Sequence, residues 1–481
     1  MLNLTVKELL SSLNFQDFEY LHNKIITDIK IDSRKISPNN IFIAIVGEQY
    51  DGHNYLTEAK QKGALLAIVE RINNQIDLPQ VCVSDTKLAM GEITKFLAKK
   101  WSSPKVCITG SNGKTTTKFI LAAILQQNGK ILCPQASFNN NIGVPLAMFS
   151  AEEEHWAGIF EMGTNHPGEI AYLTSLLQAR VAILTTISSA HIGNFPNENA
   201  IAREKLNIFN NLSPDGTAIY NYDLDYKNLL LEKFASLDYL NNVKHLTFGL
   251  NPEADVWADK IILGPDKTNF RLNYQNHSEN IEISLLGKHQ VLNSLAAVAG
   301  ALAFGVNMAE IKLGLELAQP VNKRMQAIKL DNKINIIDDS YNASPASVAA
   351  ALNYLAECEG KKIFVIGDLG ELGDTSQLEH ERIGRLAKNL NIDLVFAFGD
   401  FSKYTLQAFY ANNILATDIN STELFADKEN LSNTLVRLIK KDCQEETGVT
   451  ILIKGSNFMK MWEVTDKVVE RYKQNCVSSG I

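Results

Sequence analysis

Apolar residues arrive along this chain in short blocks, each followed by a turn and a helix-spaced stretch. The first hundred residues hold the runs NIFIAIVG (40–47), ALLAIVE (64–70) and QVCVSD (80–85), with the helical patterns TEAKQKGA and KLAMGEITKFLAKKW lying among them. Short continuous apolar runs read as buried strands, and apolar residues at a 3.6-residue period read as the helices that cover them. A small α/β module ending near Trp101 is predicted. SPKVCITG opens a second unit. It leads into a glycine-rich turn and then into KTTTKFILAAILQQNGK, where Phe119, Ile120, Ala123 and Ile124 keep helical spacing and Asn128-Gly129 supplies a stop. The runs WAGIFEMG (156–163), RVAILTTI (180–187) and GTAIYN (216–221) recur with helical patterns between them. That alternation implies a mostly parallel sheet covered by helices.

SLAAVAGALAFGV (294–306) reads as a buried helix, and with MAEIKLGLELAQP it closes the second unit near Pro320. A third βα series follows: INIIDDSYNASPASVAAALNYL, KIFVIGDLGELG, LVFAFGD and TGVTILIKGS. The expected fold is therefore α/β with three domains: an N-terminal α/β module (1–101), a central domain with a mostly parallel sheet (102–319) and a Rossmann-like C-terminal α/β domain (320–481).

Composition narrows the classes. At 481 residues the chain exceeds one ordinary core, and 45% hydrophobic with 21% charged residues is that of a soluble globular protein. A net charge of −8 argues against a nucleic-acid surface, which would carry a basic stripe. No cationic leader with an apolar core opens the chain and no apolar run is long enough to span a bilayer, so a cytoplasmic protein without membrane insertion is expected, and a monomer. The six cysteines, Cys82, Cys107, Cys133, Cys358, Cys443 and Cys476, form no C-x-x-C pair and read as core thiols in a reducing compartment.

The chemistry begins at VCITGSNGKTTTKF. It is shorter than the usual G-x-x-x-x-G-K-[ST] phosphate loop. Ile108 stands where the first glycine belongs, and the loop closes as Gly110-Ser111-Asn112-Gly113-Lys114-Thr115-Thr116. The strand before it and the helix after it are what a phosphate site demands. Backbone N–H groups of Ser111 to Thr115 are expected to point into the turn, Lys114 to reach the β- and γ-phosphates, and the Thr115 hydroxyl to ligate Mg²⁺. An ordinary βα turn with a surface lysine is the alternative. Glu161 ends an apolar strand, facing the crevice where open α/β sheets bind ligands, and suits the same Mg²⁺. His191 follows VAILTTI and belongs to the same sheet edge.

TGSNGKTT resembles the ATP loop of the Mur ligases, the ATP-dependent amide-forming enzymes of peptidoglycan synthesis; folylpolyglutamate synthases are similar there. The resemblance covers nearly the entire chain. It implies that Lys205, in AIAREKLNIF, is carbamylated by CO₂ and ligates a second Mg²⁺ beside His191, although Leu206-Asn207-Ile208 stands where Gly-Glu-Ile is common. Lys114, Glu161, His191 and Lys205 are then the catalytic group. GKHQVLNSLAAVAGA (287–301) resembles the family's G-x-H-N-x-x-N-x-x-A-A segment, with Gln290 for asparagine, and implies that Asn293 reads the adenine. By the same likeness Arg324, in NKRMQ, is the linker arginine that reaches the phosphates, and Asp339 and Tyr341 lie near the ribose and base.

KIDSRKISPNNIFIAIVGEQYDGHNYLTEAKQKGA resembles the module that holds the UDP-sugar end, with Ser33 and Arg34 as contacts to diphosphate or uridine. FNNNIGVPL, EMGTNHPGEI, DDSYNASPAS and GDLGELG are similar to the dipeptide-adding branch of the family. That branch implies ATP, Mg²⁺, UDP-MurNAc-tripeptide and D-Ala-D-Ala as ligands, with Asn139, Asn140, Asn165 and His166 as substrate contacts. A ligase for the third stem residue or for folate polyglutamation would share the ATP site, and an ATP-binding subunit without acyl-transfer chemistry is a further alternative. Arg324 and Asp339 lie beyond the second boundary, so the C-terminal domain must close over the central one to complete the site.

Overall fold

The computed structural model describes residues 1–135, 137–188, 192–237, 242–411, 424–442 and 448–478. The N-terminal module is a four-stranded parallel sheet, in the order Asp28–Lys30, Asn40–Ile43, Leu66–Val69, Gln80–Cys82, preceded by a small antiparallel pair, Leu4–Thr5 with Ile25–Ile26. The helix Thr86–Lys100 starts where the Asp85 carboxylate accepts from the amides of Lys87 (2.6 Å) and Leu88 (3.0 Å). Its apolar stripe, Met90, Ile93 and Leu97, is fully buried in one core with Leu173 and Leu176 of the central domain. A Cβ at Gly91 would sit 2.2 Å from the Tyr172 hydroxyl, so glycine is what lets this helix approach the central domain closely.

The central sheet has nine strands. From one edge they run Ile131–Leu132, Ala157–Glu161, Lys105–Thr109, Val181–Leu184, Thr217–Asn221, Lys244–Gly249 and Val256–Leu263, all in parallel pairs. Strand order reverses at Lys105–Thr109, whose two neighbours come later in the chain on opposite sides. Ligand crevices open at the carboxyl end of such a switch point. The phosphate loop, Glu161 and the segment after Leu184 all leave the sheet there.

Thr268–Tyr274 and His277–Ile283, which like Val256–Leu263 the block pattern did not anticipate, extend this sheet beyond it in antiparallel pairs. They alternate polar and apolar residues instead of running apolar throughout, because only one face is covered. Phe270, Leu272, Ile281 and Ile283 are buried, while Arg271 and Asp259 pair across the strands on the other face.

The helices Lys114–Leu125, Lys288–Ala303 and Met308–Leu317 cover one face of the sheet. The last two lie where helices were expected. Met308–Leu317 crosses the phosphate-loop helix at Gly314, where a Cβ would come 2.3 Å from the Ile124 Cα. That neighbour is backbone and cannot yield. Gly314→Ala is therefore expected to destabilise the domain by about 1–3 kcal/mol. A lower melting temperature with unchanged KM for ATP is the result to look for, since the crossing lies away from the loop.

The C-terminal sheet runs Gln326–Lys329, Ile334–Asp339, Val449–Lys454, Lys361–Gly367, Leu394–Phe398, Leu424–Phe425. Only the first strand is antiparallel. Helices cover both faces, each with its own apolar core. The helix Pro345–Glu357 starts in a capping box of Ser344 and Ser347 with proline in its first turn.

Candidate active site

The loop Gly110–Gly113 joins the central strand to the helix Lys114–Leu125. Gly110 (φ +152°) and Gly113 (φ +87°) take left-handed backbone, and each lacks room for a side chain: a Cβ would meet Thr185 Oγ1 at 1.9 Å or Asn293 Oδ1 at 2.2 Å. Not every amide faces the turn as expected. Ser111 N–H donates to the Thr186 carbonyl (2.8 Å) and Asn112 N–H to Thr186 Oγ1 (3.0 Å). The shortened loop leans on the segment after Val181–Leu184, and that contact consumes the first two amides. Among the described residues no acceptor takes the amides of Gly113, Lys114, Thr115 and Thr116. These are the orphan donors of a helix start, and they define an anion cradle narrower than the sequence suggested.

Lys114 folds back across its own loop, donating to the Gly110 carbonyl at 2.6 Å. Burial pushes its ammonium down to about 8; Glu161 offsets this in part, and Arg324 adds to it. Thr115 Oγ1 donates to Glu161 Oε2 at 3.0 Å. A buried hydroxyl and a buried carboxylate at a phosphate cradle are hard oxygen donors, and this set suits Mg²⁺, which binds through one or two protein oxygens together with phosphate and water. Among the described residues no group of three or more His, Cys, Asp or Glu side chains forms an all-protein metal cage. His191 lies outside the described residues.

Lys205 sits near the end of the helix Glu198–Leu206 and is 2% exposed. Burial first, then the nearby Lys114, push its amine down to about 7. Its neighbour Glu204, equally buried, accepts from the amides of Gly168 and Ile170 (both 2.8 Å) and so docks this helix onto the start of Glu169–Leu177. Lys205 and Lys114 share the wall of a cavity of about 570 Å³ between the N-terminal module and the central domain. Asn139, Asn140 and Asn165 line it as well, as do Asp85, Lys87 and Tyr172, which sequence reasoning had not singled out. Asn140 Oδ1 accepts from the amides of Ile142 (3.2 Å) and Gly143 (2.8 Å), so part of its role is to start the next helix. His166 is exposed beside Glu169 (3.5 Å) and lies off the cavity wall.

The C-terminal domain reaches this site through its linker. Arg324 Nη2 donates to Thr115 Oγ1 at 3.2 Å, and its guanidinium stacks on Tyr341 at 4.3 Å. Ser344 Oγ donates to Asn112 Oδ1 at 3.0 Å. Lys323 (φ +61°) and Met325 (φ +47°) flank the arginine in left-handed backbone. That conformation is held by Asp339, which accepts from the Met325 amide (3.1 Å) and forms a buried ion pair with Lys454. Both Asp339 oxygens are thus engaged, one by the linker and the other by Lys454 at the end of the strand Val449–Lys454. Asn457 donates to the Tyr341 carbonyl at 2.9 Å and braces the same loop.

Asn293 is buried in the second turn of the helix Lys288–Ala303, its amide nitrogen given to Gln290 (2.8 Å) and its oxygen against Gly113. The structure therefore brings it under the phosphate loop. Thr116 is buried in the first turn of the loop helix. In the N-terminal module Ser33 is buried and donates to Glu58 at 2.5 Å, while Arg34 is exposed and paired with Asp32 at 2.9 Å. Neither touches the cavity wall.

Three family models match the chain: the Mur ligase family catalytic domain over 25–100, the Mur ligase middle domain over 108–301, and the Mur ligase glutamate ligase domain over 323–457. A curated relative in Escherichia coli, UDP-N-acetylmuramoyl-tripeptide–D-alanyl-D-alanine ligase, is 34% identical over 98% of this chain and 99% of its own. The protein of the same name in Haemophilus influenzae is 32% identical over 94% of this chain and 95% of its own. A MurF crystal structure from Acinetobacter baumannii superposes with a TM-score of 0.87 at 32% identity, covering 97% of this chain and 99% of that one.

Proposed function

The chain belongs to the Mur ligase family, and from that premise we infer that it joins D-alanyl-D-alanine to UDP-N-acetylmuramoyl-tripeptide at the expense of ATP. The products are UDP-MurNAc-pentapeptide, ADP and phosphate, in peptidoglycan precursor synthesis. The observation that carries this reading is the near-full-length likeness to ligases of that activity, joined to a phosphate loop whose hydroxyl–carboxylate pair opens beside a large cavity.

The free amides of Gly113 to Thr116 receive the nucleotide's phosphates. Lys114 exchanges the Gly110 carbonyl for a phosphate oxygen. Thr115 and Glu161 would hold Mg²⁺, which supplies positive charge where two anionic reactants must meet. The tripeptide's terminal carboxylate enters from the cavity and attacks the γ-phosphorus, and the bond to the ADP oxygen breaks. The resulting acyl phosphate is attacked at carbon by the dipeptide's amine. The amine loses a proton and phosphate departs. Arg324 brings a further positive charge to Thr115 when the C-terminal domain is closed, and that closure keeps water from the acyl phosphate.

We assign the UDP end to Ser33 and Arg34, the peptide to Asn139, Asn140, Asn165 and His166, and the nucleoside to Asn293, Asp339 and Tyr341. Asp339 acts through the linker it holds. The enzyme works in the cytoplasm, where these precursors are made, with a site built from one chain. His191 and a carbamylated Lys205 would hold the second cation. Carbamylation needs the neutral amine: its nitrogen attacks CO₂ and a proton leaves to solvent. Because burial sets the Lys205 amine near 7 instead of 10.5, the neutral fraction grows as pH rises through 7. ¹³C NMR of protein equilibrated with ¹³C-bicarbonate is expected to show a carbamate signal that strengthens between about pH 6 and 8 and is missing from Lys205→Arg. A signal that survives this substitution places the carbamate elsewhere.

Purified protein given ATP, UDP-MurNAc-tripeptide and a choice of acceptors tests the function. ADP release that depends on D-Ala-D-Ala is the expected result. Turnover with a single amino acid assigns another amide ligation, and tight ATP binding without turnover removes the enzymatic reading.

A further inference from the structure

We infer that Lys118 is a positioning residue for the cation site: it holds one oxygen of Glu161 from behind, leaving the other to face Thr115 and the metal. This rests on the assignment of Mg²⁺ to Thr115 and Glu161. Lys118 lies three residues beyond Thr115 on the phosphate-loop helix, so both project from the same helical face, toward the strand Ala157–Glu161. Its Nζ stands 2.9 Å from Glu161 Oε1, and the two side chains are 2% and 1% exposed. The ammonium also donates to the Pro134 carbonyl at 2.8 Å and sits 4.5 Å from the centre of the Phe119 ring. A lysine is almost never buried this fully unless its charge is met, and here a carboxylate, a carbonyl and an aromatic ring meet it.

The two oxygens of Glu161 have separate duties. Oε2 takes the Thr115 hydroxyl at 3.0 Å. Oε1 accepts no hydrogen bond among the described residues, and the Lys118 ammonium meets it as an ion pair. The ion pair therefore fixes the carboxylate's rotation and directs a single oxygen at the cradle. Stability alone is a poor reason for such a pair, because buried ion pairs are often no better than well-packed apolar residues. Orientation of a metal-binding carboxylate by a second group behind it is a recurrent use.

Mn²⁺ titration of the full chain with a non-hydrolysable ATP analogue, followed by electron paramagnetic resonance, tests this without turnover. Lys118→Met is expected to weaken Mn²⁺ binding by about 10- to 100-fold and to leave metal-free nucleotide affinity unchanged. A bystander cation would only repel the metal, so its removal would tighten binding; unchanged or tighter Mn²⁺ affinity in Lys118→Met overturns the inference. If that variant does not fold, Lys118→Gln, which retains a donor for Pro134, is read by the same criterion. Glu161→Gln separates the two levels. If it weakens Mn²⁺ and the Lys118 variants do not, the positioning role alone is wrong; if it leaves Mn²⁺ binding intact, the metal assignment fails and the positioning role falls with it.

Discussion

Replacing Lys114 with methionine is expected to lower kcat/KM for dipeptide-dependent ADP release by about 10³-fold, roughly 4 kcal/mol of transition-state stabilisation. The side chain is already at the cradle, bonded to the Gly110 carbonyl, and needs only to exchange that partner for a phosphate oxygen. Its replacement by an uncharged chain of similar length preserves the packing and removes the charge. A pH signature accompanies it. Burial holds the ammonium near 8 in the nucleotide-free site, so it is charged below that pH and loses its proton above it. Nucleotide phosphates favour the charged form, and KM for ATP should climb as pH rises through about 8. Lys114→Met should lack that limb. A variant that keeps the pH-dependent rise would assign it to another group, and one that keeps full turnover would remove Lys114 from the chemistry.

Arg324→Ala is expected to cost about 10²-fold, with kcat falling and metal-free binding of ATP nearly unchanged. The central domain holds the cradle, whereas Arg324 arrives from the linker and donates to Thr115 there. It contributes when the domains are closed, so its loss falls on the steps that closure permits. Lysine at this position should rescue little. The stack on Tyr341 and the reach of Nη2 both need the planar guanidinium. Equal losses in nucleotide affinity and kcat would mean that the arginine binds ATP in the open enzyme too.

The strands and helices that carry the site were legible in the sequence because burial on both faces makes parallel strands read as unbroken apolar blocks. KVCIT, AGIFE and VAIL are such blocks, and each is a strand of the central sheet. The antiparallel extension was harder to see. VWADKIIL, TNFRLNY and HSENIEI alternate because one face is exposed, and their polar residues disguise them as loops. The alternation itself, with the Asp259–Arg271 pair, was the signal available.

In the site, the short loop named its own helix start, but which amides stay free depends on Thr186, 74 residues downstream of Asn112. A linear motif carries no such information. Lys118 and Lys454 were illegible for the same reason: each becomes meaningful only opposite its buried carboxylate, Glu161 or Asp339. Glu204 is a similar case, a helical glutamate in sequence and a cap for another helix in space. Motif spacing singled out the groups proposed to meet ligand, whereas those that hold them in place came from the fold.

Activation of a carboxylate by phosphoryl transfer is the central step of the proposed reaction. The most direct measurement uses UDP-MurNAc-tripeptide labelled with ¹⁸O in its terminal carboxylate, with ATP and D-Ala-D-Ala, and mass spectrometry of the released phosphate. One labelled oxygen in each phosphate is predicted, since the attacking oxygen stays on phosphorus when the amine displaces it. Phosphate free of label, formed alongside the joined peptide, would contradict it.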